Sequence, residues 1–78
     1  MSYSVLIEHR DGIQFAGDEM TDIQEAMRFA ERYRNMAVSV ILLDTVATSV
    51  TPLQGSLIGF EEILNQVFPG WKLAEPNQ

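Results

Sequence analysis

The run from Val38 to Leu43 constrains this chain more than any other stretch. It reads Val38, Ser39, Val40, Ile41, Leu42, Leu43, nearly continuous apolar and rich in β-branched residues. Such a run suits a central strand with little solvent on either face. The rest of the chain has to supply the sheet around it.

Tyr3 to Glu8 reads as one neighbour. Tyr3, Val5 and Ile7 alternate with Ser4, Leu6 and Glu8, at the period of a strand. Asp11-Gly12 is the strongest turn signal, because glycine tolerates the positive φ that a tight hairpin needs. Ile13 to Ala16 is then the returning strand, with Gly17 at its end. Thr21 opens the best helix. Gln24 stands three residues on, as in a capping box. Ile23, Ala26, Met27, Ala30, Tyr33 and Ala37 follow as one apolar stripe. Asp22 and Glu25 at its start, and Arg28, Arg32 and Arg34 further on, complement the helix dipole. Asn35 is the expected left-handed stop.

Beyond the central run, Asp44-Thr45 offers a turn. Val46, Thr48 and Val50 alternate as a fourth strand would; one long bent strand is the competing reading. Pro52 and Gly55 close that region. A second helix starts near Ser56 or Gly59. Gly59 inside a helix costs up to ~1 kcal/mol, which favours a start at or after it. Leu57, Phe60, Leu64, Val67 and Phe68 form its apolar face, with Ile63 beside them. Pro69 ends it, and Pro69-Gly70 turns Trp71 and Leu73 back towards the core. The expected fold is α+β, in the order β-β-α-β-(β)-α. Its sheet is mostly antiparallel, of three or four strands. The first helix lies across one face, and the second covers the same face or sits at the sheet's end. Residues 1–73 form one domain, and Ala74 to Gln78 form a polar tail.

Seventy-eight residues suffice for one modest core but make a deep enclosed site hard to build. The chain has no cysteine, which excludes disulfides, thiolate metal sites and thiol nucleophiles and fits a cytoplasmic setting. Met1-Ser2-Tyr3 opens no signal peptide, and Met36 to Val50 is too short and too polar to span a bilayer. The chain is expected to be a complete reading frame. Eleven acidic residues against five basic ones give a net charge of −6. That field repels phosphate backbones, so nucleic acid is not an expected partner. It either attracts a basic partner or merely keeps the protein soluble.

Residues with chemical potential are sparse. His9 beside Asp11 has the elements of a proton-transfer pair but no third partner, and an exposed hairpin residue is the plainer reading. Asp11, Asp18, Glu19 and Asp22 have the oxygens that a hard cation wants, without EF-hand spacing; they also suit a helix start. Ser56 lacks the flanking glycines of a nucleophile elbow. Arg28 and Arg32 have the groups to grip an anion, but pairing with Glu25 and Glu31 at helical spacing is simpler. Met20, Met27 and Met36 read as core fillers rather than a recognition surface. Trp71 reads as a lid on the core, with an interface anchor as the alternative. The expectation is a protein without catalysis, cofactor or metal.

Two resemblances add to this. Tyr3 to Glu8, then Ala16-Gly17-Asp18 and Gln24-Glu25-Ala26, resemble the start of HicB-like antitoxins, over roughly a third of the chain. The segment between them is shorter here, and the downstream DNA-binding region of that family is absent. The whole chain is similar in size, acidity and element order to small phage-encoded inhibitors of the anti-CRISPR type. No diagnostic motif is shared, so the likeness transfers no residue and remains an analogy.

The functional expectation is therefore a non-catalytic inhibitor or adaptor. It would block a larger, basic-surfaced protein or nucleoprotein complex through an acidic surface. The candidate residues are Asp18, Glu19, Asp22 and Glu25, with Glu61 and Glu62 as a second patch. A homo-oligomer built on an open sheet edge, in the simplest case a homodimer, and an antitoxin-like neutraliser are the alternatives. A metal or small-molecule binder using His9 and the acids ranks below them. No membrane partner is expected.

Overall fold

The computed structural model describes residues 2–74, with Phe15 and Asp18 described by their backbone alone. The elements are β1 (Tyr3–His9), β2 (Gly12–Met20), α1 (Ile23–Glu31), β3 (Ser39–Asp44) and β4 (Ser49–Gln54). A single 3₁₀ turn (Ile58–Phe60) then leads into α2 (Glu61–Val67), and β5 (Lys72–Leu73) follows. The strands form one sheet in the order β2-β1-β3-β4-β5. All neighbours are antiparallel except β4 and β5, which run parallel.

The apolar run becomes β3, flanked by β1 and β4, and its two faces enter two separate clusters. Val40 and Leu42 pack with Tyr3, Val5 and Ile7 of β1 and with Ala26 and Ala30 of α1. Ile41 and Leu43 pack with Leu6 of β1, Val50 of β4, and Phe60 and Leu64 from the second helical region. Alternate residues of a strand point to opposite faces. The two helices therefore cover opposite faces of the sheet. This corrects the expectation that the second helix shares the first one's face or lies at the sheet's end. Continuous apolar strands are the sequence signature of such double cover.

The sheet has five strands, where three or four were expected. The extra one, β5, is only two residues long and pairs Lys72 with Ser49 and Leu73 with Val50. A pair that short leaves no alternation to read. The Pro69-Gly70 turn does return Trp71, which packs beside the Phe60 cluster while its Nε1 donates to Asn65 Oδ1 at 2.9 Å. Leu73 stays half exposed. β4 is a separate strand, and Val46 and Thr48 belong to the turn before it. Asp44 Oδ1 holds that turn by accepting from the backbone N–H groups of Val46 and Ala47.

Pro52 lies inside β4 rather than closing it. It faces Ile41 just where the register with β3 shifts and beyond the reach of β5. A proline's missing N–H is tolerated at such irregular positions. Val38 precedes β3 and is exposed, with its N–H donating to Glu8 O at 2.7 Å.

β2 does not stop at Gly17. It runs on to Met20 through two register shifts against β1, with Glu19 at φ 53°. Bulges of this kind let a strand continue past a glycine that alone reads as a stop. The α1 cap is Asp22, not Thr21: its Oδ1 accepts from Gln24 N at 2.9 Å. Aspartate is preferred over threonine at the cap position, so Asp22 one residue later competes well for it. The helix ends at Glu31 and passes through turns to Met36, and Asn35 is not left-handed. Because α1 lies over β1 and β2, its stripe is only partly used. Ala26 and Ala30 are buried, whereas Ile23, Met27 and Met36 are exposed. Of the methionines expected in the core, Met20 alone is buried.

Candidate interaction surface

Nearly all of the net charge sits on one continuous part of the fold. Residues 8 to 25 hold six acids, Glu8, Asp11, Asp18, Glu19, Asp22 and Glu25, against Arg10 alone. The remainder holds five acids against four basic residues. That segment is the end of β1, the hairpin, the whole of β2 and the first turn of α1. β2 is also the terminal strand of the sheet, with no strand beyond it among the described residues. The acidic side of the protein and one open edge of its sheet coincide.

The expected site residues divide between two places. Glu19, Asp22 and Glu25 are exposed at the junction of β2 and α1. Asp18 has its backbone in β2, and its side chain lies outside the described residues. Glu61 and Glu62 are exposed in the first turn of α2, on the other face of the sheet. The two groups are therefore separate patches on different parts of the fold.

Glu62 nevertheless meets the β2 segment from its own side. Cross-strand partners share a face, so Ile13, paired with Glu8, points to the α2 side. There, Ile13, Gly59, Glu62, Ile63 and Gln66 line a hollow of about 200 Å³. The Gly59 backbone rests on the Glu8 carboxylate, so that a Cβ at this position would stand 2.7 Å from Glu8 Cδ. One carboxylate, Glu62, thus borders an apolar floor beside the edge strand, and a second, Glu8, lies against Gly59. Composition does not show this juxtaposition, because Glu8, Ile13 and Glu62 meet only once the register and the helix position are known.

His9 belongs to the hairpin. Its Nε2 lies 3.1 Å from Gln14 Oε1, and it lines a shallow depression with Asp11, Gly12, Ile13 and Gln14. Among the described residues, no three His, Asp or Glu side chains gather closely enough to hold a metal ion. Ser56 donates its backbone N–H to Ser39 Oγ and accepts from Ile58 N, so it serves the loop. The arginines do not pair as the helical spacing implied. Glu31 bonds Arg34 at 3.0 Å, and Arg32 lies over the Phe29 ring, 5.5 Å from its centroid. Arg28 lies inside the helix, three residues from both Glu25 and Glu31, but Glu31 turns to Arg34 instead.

A larger groove, about 360 Å³, runs between α1 and β4, lined by Met27, Ala30, Glu31, Arg34, Val40, Leu53 and Gln54. It exists because α1 covers β1 and β2 and leaves the β4 side of that face bare. The Gln54 amide bridges its end, donating to Arg34 O and Ala37 O at 2.9 Å each. No helix of the described residues is long and apolar enough to cross a membrane. Comparison with known proteins finds no family model that matches this chain, no matching curated protein and no matching solved structure.

Proposed function

We propose that this protein is a non-catalytic binding module, an inhibitor or adaptor that engages a basic-surfaced protein or nucleoprotein complex through its β2 side. One observation supports this reading above the others. The charge is not spread evenly but is concentrated on residues 8 to 25, where the sheet ends. A one-signed surface steers association with a partner of opposite sign and discriminates against wrong ones.

The test is capture from a lysate of the source cells by tagged protein, at low and at high salt. A single stoichiometric partner is expected at low salt and is released as salt rises, because exposed charge pairs are screened. The triple variant Glu19→Lys, Asp22→Lys, Glu25→Lys is expected to lose that partner. Glu31→Lys, at the far end of α1, is expected to keep it. Unchanged capture by the triple variant contradicts the reading.

A further inference from the structure

We propose that the free edge of β2 is a strand-addition site, and that its occupant is an extended segment of a partner protein carrying lysine or arginine at alternate positions. The inference rests on the acidic-side reading above and names how that side binds.

The two sheet edges differ. On the β4 side, β5 already pairs with Ser49 and Val50, and Pro52 follows, which lacks a donor for any added strand. On the β2 side, Gly12 to Phe15 keep a regular register against Leu6 to His9. The register shifts begin only beyond Phe15. That stretch reads Gly-Ile-Gln-Phe, without proline or charge, the devices that normally blunt an edge. Backbone pairing there gives affinity, and side-chain hollows along the edge give specificity.

The hollows state the chemistry of the occupant. The one on the α2 side has an aliphatic floor, Ile13 and Ile63, and an acidic border, Glu62, with the Glu8 carboxylate set against Gly59. A lysine or arginine fits such a place because its methylene stem lies on apolar surface while its head reaches a carboxylate. Asp11 lines the depression at the hairpin end of the same strand. Glu19 lies near the other end of the strand and Asp22 just beyond it. A second copy of this chain is a poorer occupant. Its own residues 8 to 25 carry six acids against one arginine, so bringing them to the same edge would set like charges facing each other.

The test uses the intact protein, isotope-labelled, titrated with synthetic seven-residue peptides while backbone amide signals and hydrogen exchange are followed. One peptide alternates lysine with valine, one alternates glutamate with valine, and one is the lysine peptide with alternate backbone nitrogens methylated. The lysine peptide is expected to shift amides of β2 and of residues 59–66 and to slow exchange along Gly12–Phe15. The glutamate and N-methylated peptides are expected not to bind. Glu62→Gln, exposed and outside the core, is expected to weaken the lysine peptide about tenfold, as the loss of a close charge partner does.

Equal binding by the N-methylated peptide overturns strand addition and leaves the acidic-surface reading standing. No binding of the lysine peptide, or its binding at the α1–β4 groove, also overturns it. So does a dimer that protects Gly12–Phe15 before any peptide is added. Failure of the broader reading shows separately, as partner capture that survives the Glu19, Asp22 and Glu25 reversals.

Discussion

Phe60→Ala is expected to destabilise the protein by about 3–5 kcal/mol, the range for truncating a buried aromatic side chain. Phe60 is the largest fully buried side chain among the described residues, and it joins the helical layer to Leu6, Ile41, Leu43 and Val50. A domain of this length has about 4–12 kcal/mol in total. The variant is therefore expected to be largely unfolded, or to melt many degrees lower. Ile58 stands two residues earlier in the same turn, 76% exposed. Ile58→Ala is expected to change stability by less than about 0.5 kcal/mol. Chemical denaturation of the two variants checks the pair. A small effect at Phe60 contradicts the two-sided core, because α2 would then not be the cover of that face.

Gly55→Ala is expected to cost about 2–5 kcal/mol, from two sources that can be separated. Gly55 has φ 70°, where an L-residue carries about 1–2 kcal/mol of strain. A Cβ there also meets Ser39 Oγ and lies 2.6 Å from Val38 O. Neither neighbour moves freely. Ser39 is buried in β3 and its Oγ accepts from Ser56 N at 3.2 Å, and the Val38 N–H bonds Glu8 O. Overpacking against fixed neighbours adds about 1–3 kcal/mol. Gly70 supplies the comparison, with φ 83° and nothing within 4 Å of its virtual Cβ. Gly70→Ala is expected to show the strain alone. Equal losses in thermal melts of the two variants contradict the close approach of the β4–α2 loop to β3.

These expectations show what the chain makes legible. The hairpin at Asp11-Gly12, the start of the second helical region near Gly59 and the central place of Val38–Leu43 are local signals, and the fold realises them with β3 beginning at Ser39. The double cover follows from the same run in principle, but nothing local says which helix takes which face. That choice depends on the handedness of connections and on burial across the whole chain. β5 was illegible because two residues carry no period. The length of β2 was hidden by Gly17, since a bulge and a stop look alike in one dimension. The acids of the candidate surface are visible as a cluster, Asp18, Glu19, Asp22 and Glu25, with Glu61 and Glu62 as a second patch. Glu62 belongs with Glu8 and Ile13, and that relation arises from the register of β1 and β2 together with the seat of α2.

The claim that β2 is the recognition side is tested most directly by hydrogen exchange on the complex with whatever partner the tagged protein captures. The prediction is new protection in β2, Gly12–Met20, and in the first turn of α2, with the α1–β4 groove unchanged. Protection centred on Met27, Leu53 and Gln54, with β2 exchanging as in the free protein, would contradict it.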